Sequence, residues 1–199
     1  MSILKEYRRE RRVLEIPNYR REDLGTVVRY SPNRPDADGI VCFANLSVGE
    51  LAAEIQRHID HFEAIATRFE WKVYDSDKPG CLKDKLVDAG FEKGDPEILM
   101  IYDLARFQSV DRLGRDNIDV RRIESIELLN QIAEFQELIW QRSFPWLLDQ
   151  LQSTWNECAF FAAYDHRRLV GTGWIEYPED SQFPELHGGA VLPNYRARF

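Results

Sequence analysis

The longest regular pattern of apolar residues in the chain lies in its first half. Apolar side chains recur there every three or four residues, at Leu51, Ile55, Ile59, Phe62, Ile65 and Phe69. This spacing places them along one face of a helix, because an α-helix completes a turn in about 3.6 residues. Ser47 and Glu50 stand at the spacing of a capping box just before the stripe. The pattern therefore predicts an amphipathic helix that follows Ser47 and continues to about residue 68.

Shorter apolar runs predict the other elements of the first half. Runs bounded by Pro, Gly and Asp predict strands, whereas a short apolar stripe that ends at Gly90 predicts a helix. The predicted strands cover residues 27–30, 40–46, 71–74 and 97–103, and the predicted short helix covers residues 82–89. Residues 1–38 are interpreted as an N-terminal extension and residues 39–104 as a small unit of strands and helices.

The second half, 118–199, follows a polar segment at 105–117 that is interpreted as a linker. Its patterns predict a strand at 118–123, helices at 125–141 and 145–155, a hairpin formed by 158–164 and 169–177, and a last strand at 185–192. Pro145 suits the first turn of the second helix, where its missing N–H costs nothing. Both halves therefore mix strands and helices, and the predicted fold class is α/β with mixed sheets.

Composition limits the kinds of protein that this chain can be. It has 199 residues, 44% of them hydrophobic, and a net charge of −8. These values suit one large or two small globular domains and exclude a largely disordered chain. A membrane-spanning helix needs about 20 apolar residues, and no run approaches that length. The N-terminus also lacks the apolar core of a secretory signal. Three dispersed cysteines indicate reduced thiols, so a cytoplasmic location is predicted.

The charge is uneven along the chain, because basic side chains outnumber acidic ones in residues 1–21 while the remainder is acidic. A basic arm of this kind could contact nucleic-acid phosphates. Glu6, Glu10 and Glu15 interrupt it, however, and nucleic-acid-binding proteins usually carry a broader basic surface. Binding to nucleic acid is therefore not expected.

The stretch 167–198 reads RRLVGTGWIEYPEDSQFPELHGGAVLPNYRAR and contains VLPNYR at 191–196, which has the form V-x-P-x-Y-R. With the order strand, helix, helix, hairpin, strand over 118–199, it resembles the first half of the GCN5-related N-acetyltransferase (GNAT) family. The resemblance implies a GNAT-like fold and transfer of an acetyl group from acetyl-coenzyme A (acetyl-CoA). The acceptor would be an amine of a small molecule or a peptide.

The same resemblance assigns residues to the co-substrate. The family splays its central strands, so that backbone groups are free to pair with the pantetheine arm; here these would be Val191 and Leu192. A glycine loop then presents N–H groups to the pyrophosphate at a helix N-terminus, where the dipole favours anions. Arg196, Ala197 and Arg198 would begin that loop. The N–H of Val191 would stabilise the oxyanion of the reaction.

The loop departs from the family pattern at Phe199, where the family has its first glycine. A loop without its glycines loses the close backbone approach that an anion needs. An acetyltransferase truncated before the loop would be impaired or inactive. The second hypothesis is therefore a non-catalytic remnant that acts as a dimerisation or binding module.

The first half resembles, more weakly, the second half of the same family, on LKDKLVDAGF at 82–91. This implies a tandem protein in which 39–104 is a degenerate GNAT-like unit, whose loop NLSVG at 45–49 would bind no pyrophosphate. The two partial units are expected to pair into one mixed sheet, within one chain or between the two chains of a homodimer. Such pairing would cover the exposed edge of the last strand.

Acetyl transfer to an amine needs a base and an oxyanion donor. Along the last strand, Glu185, His187 and Gly189 are expected on one face, because side chains alternate. The resemblance places the general-base carboxylate of some family members at Glu185; His187 is a second candidate, and Glu176 on the neighbouring strand would contact a cationic substrate. Each of the three has a structural alternative, as a solvated carboxylate or a half-buried histidine. His187-Gly188-Gly189 is also similar to an esterase oxyanion sequence, but no G-x-S-x-G motif accompanies it.

Two further patterns are weaker. His58 and His61 stand at helical spacing near Glu54 and could ligate a metal ion. They lie beside the apolar stripe and lack a converging third ligand, so no metal site is predicted. Gly171 and Gly173 interrupt a strand pattern, which indicates a bulge or a close approach of another backbone segment.

Overall fold

A computed structural model describes residues 3–34, 37–106, 118–179 and 181–196. The chain divides into two compact units, Met1–Ile101 and Tyr102–Phe199. Strands within each unit form a four-stranded sheet. The predicted mixture of helices and mixed sheets is confirmed, and the two units are described in turn.

The first unit has a sheet in which a helix connects two parallel strands. In chain order its elements are α1 (Ile3–Val13), β1 (Tyr19–Asp23), β2 (Val28–Pro32), β3 (Gly39–Cys42), α2 (Leu51–Ala64), β4 (Phe69–Trp71) and α3 (Leu82–Asp88). The strands β1, β2 and β3 pair antiparallel, and β4 pairs with β3 in parallel. Residues 3–32 thus supply a helix and two strands of this unit.

The amphipathic helix predicted from the apolar stripe is α2. Its buried stripe residues are Leu51, Ile55 and Phe62. Gly39 at the start of β3 permits the helix to pack closely on the sheet, because a Cβ there would lie 2.0 Å from the ring of Phe62. The helix ends at Ala64 rather than near residue 68, and Ala66 has a left-handed φ of 51°.

The segment before α2 is closed by Glu50. Its carboxylate accepts hydrogen bonds from the backbone N–H of Ser47 at 3.0 Å and from the Ser47 hydroxyl at 2.6 Å. The hydrogen bonds from Ser47 hold the pKa of Glu50 below its usual value. This contact is the reciprocal half of a capping box, but the predicted cap by Ser47 is not formed, because α2 begins at Leu51 with Glu50 at its N-cap and without a side-chain cap hydrogen bond.

Arginines attach α1 to carboxylates of the same unit. Arg8 forms an ion pair with Asp77 at 2.7 Å, and the side chain of Asp77 is 1% exposed. Burial raises the pKa of Asp77. Arg12 donates hydrogen bonds to Asp23 at 2.9 Å and to the carbonyl of Phe43 at 3.3 Å. These basic side chains therefore have partners within the first unit.

The strand predicted at 97–103 is wrong. The structure has no strand in this segment, and Ile98 and Met100 are 85% and 87% exposed. A strand needs a neighbour to complete its backbone hydrogen bonds, and the described strands of the first unit pair only among themselves. A local apolar run does not specify that neighbour, because strand formation depends on its tertiary context.

The second unit is an antiparallel sheet with two helices on one face. Its elements are β5 (Ile118–Arg122), α4 (Leu129–Trp140), α5 (Leu147–Ser153), β6 (Cys158–Asp165), β7 (Arg168–Glu176) and β8 (Glu185–Val191). The strands are ordered β5-β6-β7-β8, and every pair is antiparallel. The predicted helices, hairpin and last strand of this half are therefore confirmed.

The core of the second unit lies between its helices and its sheet. The buried residues at its centre are Leu129, Ile132, Leu151, Phe160 and Ala162. The helices α4 and α5 thereby cover the face of the sheet that carries Phe160 and, on β7, Thr172, Trp174 and Glu176. This is the face on which the candidate catalytic residues stand.

The single mixed sheet expected within one chain is not formed by the described residues. In the first unit, β1 and β2 complete the sheet, so that both edges of β3 are paired, with β2 on one side and β4 on the other. In the second unit, β8 pairs with β7 and lies at the edge of its sheet. Pairing of β8 with a second copy of the chain stays a prediction.

Candidate functional site

The structure brings the three predicted catalytic residues together at one end of the β7–β8 pair. In the register of these strands, Glu176 lies opposite Glu185, and Trp174 lies opposite His187. The Nε2 atom of His187 is 3.3 Å from a carboxylate oxygen of Glu185 and 3.6 Å from one of Glu176. An imidazole is thus held between two carboxylates on the helix-covered face of the sheet.

These three side chains are only partly exposed to solvent. The exposed fractions are 16% for Glu185, 33% for Glu176 and 38% for His187. Glu185 is therefore the most enclosed carboxylate of the cluster, and the Nε2 atom of His187 is buried although the side chain as a whole is partly exposed. Two negative charges at this spacing attract a cation, and their field is stronger here than in bulk water because the surroundings are partly apolar.

Trp174 holds one side of the cluster in place. Its indole N–H donates a hydrogen bond to Glu176 at 3.0 Å. Its ring lies nearly parallel to the His187 imidazole, with centroids 6.5 Å apart, and also contacts Phe160 at 6.2 Å. The tryptophan thus connects the hydrophobic core to both titratable groups, a role that its hydrophobicity alone does not predict.

A β-bulge in β8 adjoins the cluster. Trp174 faces His187 and Thr172 faces Ala190, so the single residue Gly173 on β7 is opposed by Gly188 and Gly189. Gly188 adopts a left-handed φ of 59°. The bulge shifts the alternation of β8 by one residue, so the expectation that Gly189 shares a face with Glu185 and His187 is wrong.

The glycines of β7 accommodate this irregular strand. A Cβ on Gly171 would lie 3.3 Å from the carbonyl of Ala190, and one on Gly173 would lie 3.6 Å from the carbonyl of His187. The predicted close backbone approach is therefore confirmed at Gly171, whereas the separation at Gly173 is an ordinary van der Waals contact.

Gln136 on α4 is the residue of this region that sequence reasoning missed. It is 4% exposed. Its amide nitrogen donates to the hydroxyl of Thr172 at 3.0 Å and to the carbonyl of Gly188 at 2.6 Å. The sequence does contain a signal, because Gln136 is a polar residue four positions after Ile132, on the buried face of α4.

The backbone after the bulge presents Val191 at the outer edge of the sheet. The N–H of Leu192 donates to the carbonyl of Val170 at 2.9 Å, and the carbonyl of Leu192 accepts from Tyr195 at 2.8 Å. Because backbone groups alternate between the two edges of a strand, the N–H and carbonyl of Val191 point away from β7. Both backbone groups of Leu192 are thus engaged within the unit, whereas those of Val191 face the outer edge.

A short helical turn at Pro193–Tyr195 follows β8 and leads to the predicted phosphate-binding residues. Tyr195 is buried, and its hydroxyl donates to Asp165 at 2.6 Å. Arg196 donates from Nε to the carbonyl of Val191 at 3.3 Å. Ala197, Arg198 and Phe199, on which the rest of the predicted loop falls, lie outside the described residues.

The two histidines of α2 do not form a metal site. The Nε2 atom of His61 lies 2.9 Å from the hydroxyl of Ser31. His58 is fully buried beside Glu54 and the ring of Trp71, and burial lowers its pKa to about 4. Over the described ranges, no group of three or more His, Cys, Asp or Glu side chains is arranged to hold a metal ion.

Comparison with known proteins gives matches in structure but not in sequence. No family model matches the chain, and no curated protein matches it. A GCN5-related N-acetyltransferase from Kribbella flavida superposes with a TM-score of 0.58 over 97% of this chain and 71% of its own, at 13% identity. The chain has a GNAT-like fold.

A second solved structure supports the same fold. A functionally unknown conserved protein from Staphylococcus epidermidis ATCC 12228 matches with a TM-score of 0.54 at 12% identity, over 91% of this chain and 75% of its own. At these identities the matches establish the fold and leave the reaction open. No helix in the described part of the chain has the length and apolar character needed to span a membrane.

Proposed function

We propose that the protein is an N-acetyltransferase that transfers the acetyl group of acetyl-CoA to an amine. The observation that carries the proposal is the placement of Glu185 and His187 on the same strand as the outward-facing backbone of Val191. A proton acceptor and an N–H donor are the two groups that this reaction requires of a protein. Both stand on β8 and are separated only by the bulge.

The end of β8 and the turn after it would hold acetyl-CoA. The backbone of Val191 lies at the outer edge of β8, where the pantetheine arm would run alongside it, and its carbonyl already accepts a hydrogen bond from Arg196 at 3.3 Å. Leu192, whose backbone groups already have partners, would contribute contacts of its side chain. Arg196, at the following turn, would be the first cationic group toward the pyrophosphate, with Ala197 and Arg198 following it in the chain.

The chemistry of the protein groups follows from their positions. Acetyl-CoA supplies a thioester, whose C–S bond breaks as the C–N bond to the neutral amine forms, and the departing CoA thiolate takes up the proton that the acylated nitrogen loses. A cationic acceptor must first release one further proton so that its nitrogen can attack. Glu185 accepts that proton, directly or through a water molecule, because it is the most enclosed carboxylate of the cluster. Glu176 attracts the cationic acceptor and, with Trp174, orients it. The N–H of Val191 stabilises the negative charge that develops on the carbonyl oxygen.

The first unit is proposed to be a degenerate, non-catalytic GNAT-like unit. The backbone following β3 is joined to residue 78 by two hydrogen bonds, from Leu46 to the Lys78 carbonyl at 3.0 Å and from Lys78 to the Ala44 carbonyl at 3.1 Å. Glu50 occupies the N–H of Ser47 before α2. These contacts use the backbone groups that a pantetheine arm or a pyrophosphate would need.

Isothermal titration calorimetry with acetyl-CoA tests the proposal. A Kd of about 1 μM to 1 mM, the usual range for enzyme substrates, is expected. Release of the CoA thiol in the presence of small polyamines, aminoglycosides and peptides would then identify the acceptor class. Absence of binding at millimolar acetyl-CoA would refute the enzyme and favour the alternative, a non-catalytic binding or dimerisation module with a GNAT-like fold.

Glu185→Gln tests the base directly. Removal of a general base should lower kcat about 10²- to 10⁴-fold, whereas the Kd for acetyl-CoA should stay within about threefold because the substituted atoms lie in the acceptor region. Glu179→Gln, at an exposed glutamate between β7 and β8, is the matched control and should leave both values unchanged. Equal kcat values for Glu185→Gln and the wild type would exclude Glu185 as the base.

Two remaining expectations are proposals of the same kind. A homodimer that covers the edge of β8 would occupy the place proposed for the pantetheine arm, so it belongs with the non-catalytic alternative, and analytical ultracentrifugation over a range of protein concentrations tests it. A cytoplasmic location agrees with the three free cysteines, Cys42, Cys81 and Cys158, and fractionation of cells tests it.

A further inference from the structure

Gln136 is an unusual residue for its position, because it lies on the buried face of α4. It is 4% exposed and follows Leu129, Ile132 and Ala133 along the same face, all of them buried. An amide buried without hydrogen bonds costs several kcal/mol in apolar surroundings, so its presence needs a compensating set of partners. The structure supplies that set from three different elements.

The amide of Gln136 is fully engaged. Both hydrogen bonds from Nε2 reach the sheet, one at Thr172 on β7 and one at the Gly188 carbonyl on β8. The amide oxygen accepts from the indole N–H of Trp140 at 2.9 Å, one turn further along α4. The orientation of the amide is therefore determined by its neighbours rather than by the helix alone.

The partner on β8 is a carbonyl that the sheet itself does not satisfy. A bulge places two residues opposite one, which removes the ladder partner of the extra residue. Gly188 is the bulged residue with left-handed φ, and its carbonyl points toward α4, where the Gln136 amide reaches it at 2.6 Å. Gln136 thus replaces the missing backbone donor at the point where β8 changes register.

The register change determines how the two parts of the candidate site are related. Before the bulge, Glu185 and His187 face α4; after it, Val191 presents its backbone to the outer edge. Without the bulge, one part of β8 would turn over, because a shift of one residue moves every following side chain to the opposite face. The proton acceptor and the N–H donor would then no longer lie in their present relation.

We infer that Gln136 is a positioning residue that stabilises the Gly188 bulge, and thereby sets Glu185 and His187 relative to Val191. The structural part of this inference concerns the bulge and stands independently of the reaction. Its consequence for catalysis rests on the proposed acetyltransferase function.

Gln136→Leu and Gln136→Met test the inference, since both remove the donor and keep a similar volume. Gln131→Leu is the matched control: this glutamine is also on α4, but it accepts a hydrogen bond from Tyr164 on β6 and does not contact the bulge. Two-dimensional NMR spectra of the full chain would report the amides of Gly188 and Gly189 and the His187 imidazole. These signals are expected to move in both Gln136 variants and to stay in place in the control.

Kinetics give the second readout. If the chain transfers acetyl groups, a misplacement of about 1 Å lowers the rate by about 10²-fold, so kcat should fall by about that factor in Gln136→Leu. The Kd for acetyl-CoA should change less than about threefold, because the hydrogen bond from Leu192 to the Val170 carbonyl holds the backbone at Val191 in place while the part of β8 before the bulge moves. If Gln136 only stabilised the fold, a folded Gln136→Leu variant with an unchanged Kd for acetyl-CoA would keep the kcat of the wild type.

Distinct outcomes separate the two proposals. Unmoved Gly188 and His187 signals in a folded Gln136 variant would overturn the positioning role, even in an active enzyme. Absence of acetyl-CoA binding by the wild type would overturn the proposed function and leave the NMR test intact. If neither variant folds, the wild type gives the test. Nuclear Overhauser contacts are then expected from the side-chain amide protons of Gln136 to Thr172 and Gly188. Absence of these contacts would refute the inference.

Discussion

Gly188→Ala should destabilise the second unit far more than a typical glycine substitution. Gly188 has a φ of 59°, and a Cβ there would lie 1.6 Å from Cζ3 of Trp174 and 2.2 Å from Cη2. The left-handed conformation alone costs an alanine about 1–2 kcal/mol. Overpacking against a well-packed ring adds about 1–3 kcal/mol. The expected loss in free energy of unfolding is therefore about 2–5 kcal/mol.

The ring cannot easily move aside to relieve the overlap. Trp174 donates its N–H to Glu176 and packs against Phe160, which is 1% exposed. Displacement of the indole would break that hydrogen bond or disturb the core. Relief through a shift of β8 would instead pull the Gly188 carbonyl away from Gln136.

Alanine substitutions at two other glycines separate the cost of the backbone conformation from the cost of the overlap with Trp174. Gly90 also has a positive φ, 93°, but no atom within 4 Å of an added Cβ, so Gly90→Ala should cost only about 1–2 kcal/mol for the backbone conformation. Gly49 has open space and no positive φ, so Gly49→Ala should be within about 0.5 kcal/mol of neutral. The excess cost at Gly188 over Gly90 measures the overlap with Trp174.

The assay must resolve the two units, since a chain of two compact units need not unfold in one step. Urea titrations followed by two-dimensional NMR would use the buried amides of Val170 for the second unit and Val27 for the first. A double-mutant cycle with Trp174→Leu should recover about 1–3 kcal/mol of the Gly188→Ala cost. The reasoning fails if Gly188→Ala costs no more than Gly90→Ala, or if the coupling to Trp174 is zero.

Two further predictions concern the first unit. Burial lowers the pKa of His58 to about 4, below its unfolded value of about 6.5, so the folded state binds fewer protons. The neutral His58 contributes at most about 3 kcal/mol to the free energy of unfolding, and this contribution is complete above about pH 6.5 and is lost as the pH falls toward 4. Urea titrations at several pH values should therefore show that acidification destabilises His58→Leu less than the wild type. Equal losses of stability in the two proteins would contradict the assignment. Arg8→Ala leaves the buried carboxylate of Asp77 without its ion-pair partner and should cost about 3 kcal/mol. Arg9→Ala removes only an exposed pair and should cost less than about 1 kcal/mol, so equal unfolding midpoints for the two variants would show that the Asp77 pair is unimportant.

Elements whose determinants are local could be predicted from the sequence. The helix α2 follows from its apolar stripe and from Glu50, and the β6–β7 hairpin follows from two apolar runs around a polar turn. The strand expected at 97–103 failed for the opposite reason. Its apolar residues suit a strand, but a strand requires a partner, and that partner is specified by the tertiary structure rather than by the run itself.

In the candidate site, too, single residues could be predicted from the sequence, whereas their contacts could not. Glu176, Glu185 and His187 were predicted individually, and the structure brings them together because β7 and β8 pair in the register Glu176 opposite Glu185. The sequence could not give that register, since it depends on a bulge. Gln136 could have been noticed as a polar residue on a buried helix face, but the sequence does not say which groups it meets.

The pair Gly188-Gly189 combines a signal in the local sequence with a requirement set by the tertiary structure. The motif His187-Gly188-Gly189 is similar to an esterase oxyanion sequence, and strand alternation predicts Gly189 on the same face as His187. Two glycines within a strand are instead a signal for a bulge, because they tolerate positive φ and close approach of a neighbouring ring. In this chain the ring is Trp174, and a side chain at Gly188 would overlap it. The glycines therefore contribute to the candidate site through the backbone geometry they permit, which places Glu185 and His187 on one face of β8 and, beyond the bulge, leaves the backbone of Val191 at the outer edge that we propose for the co-substrate.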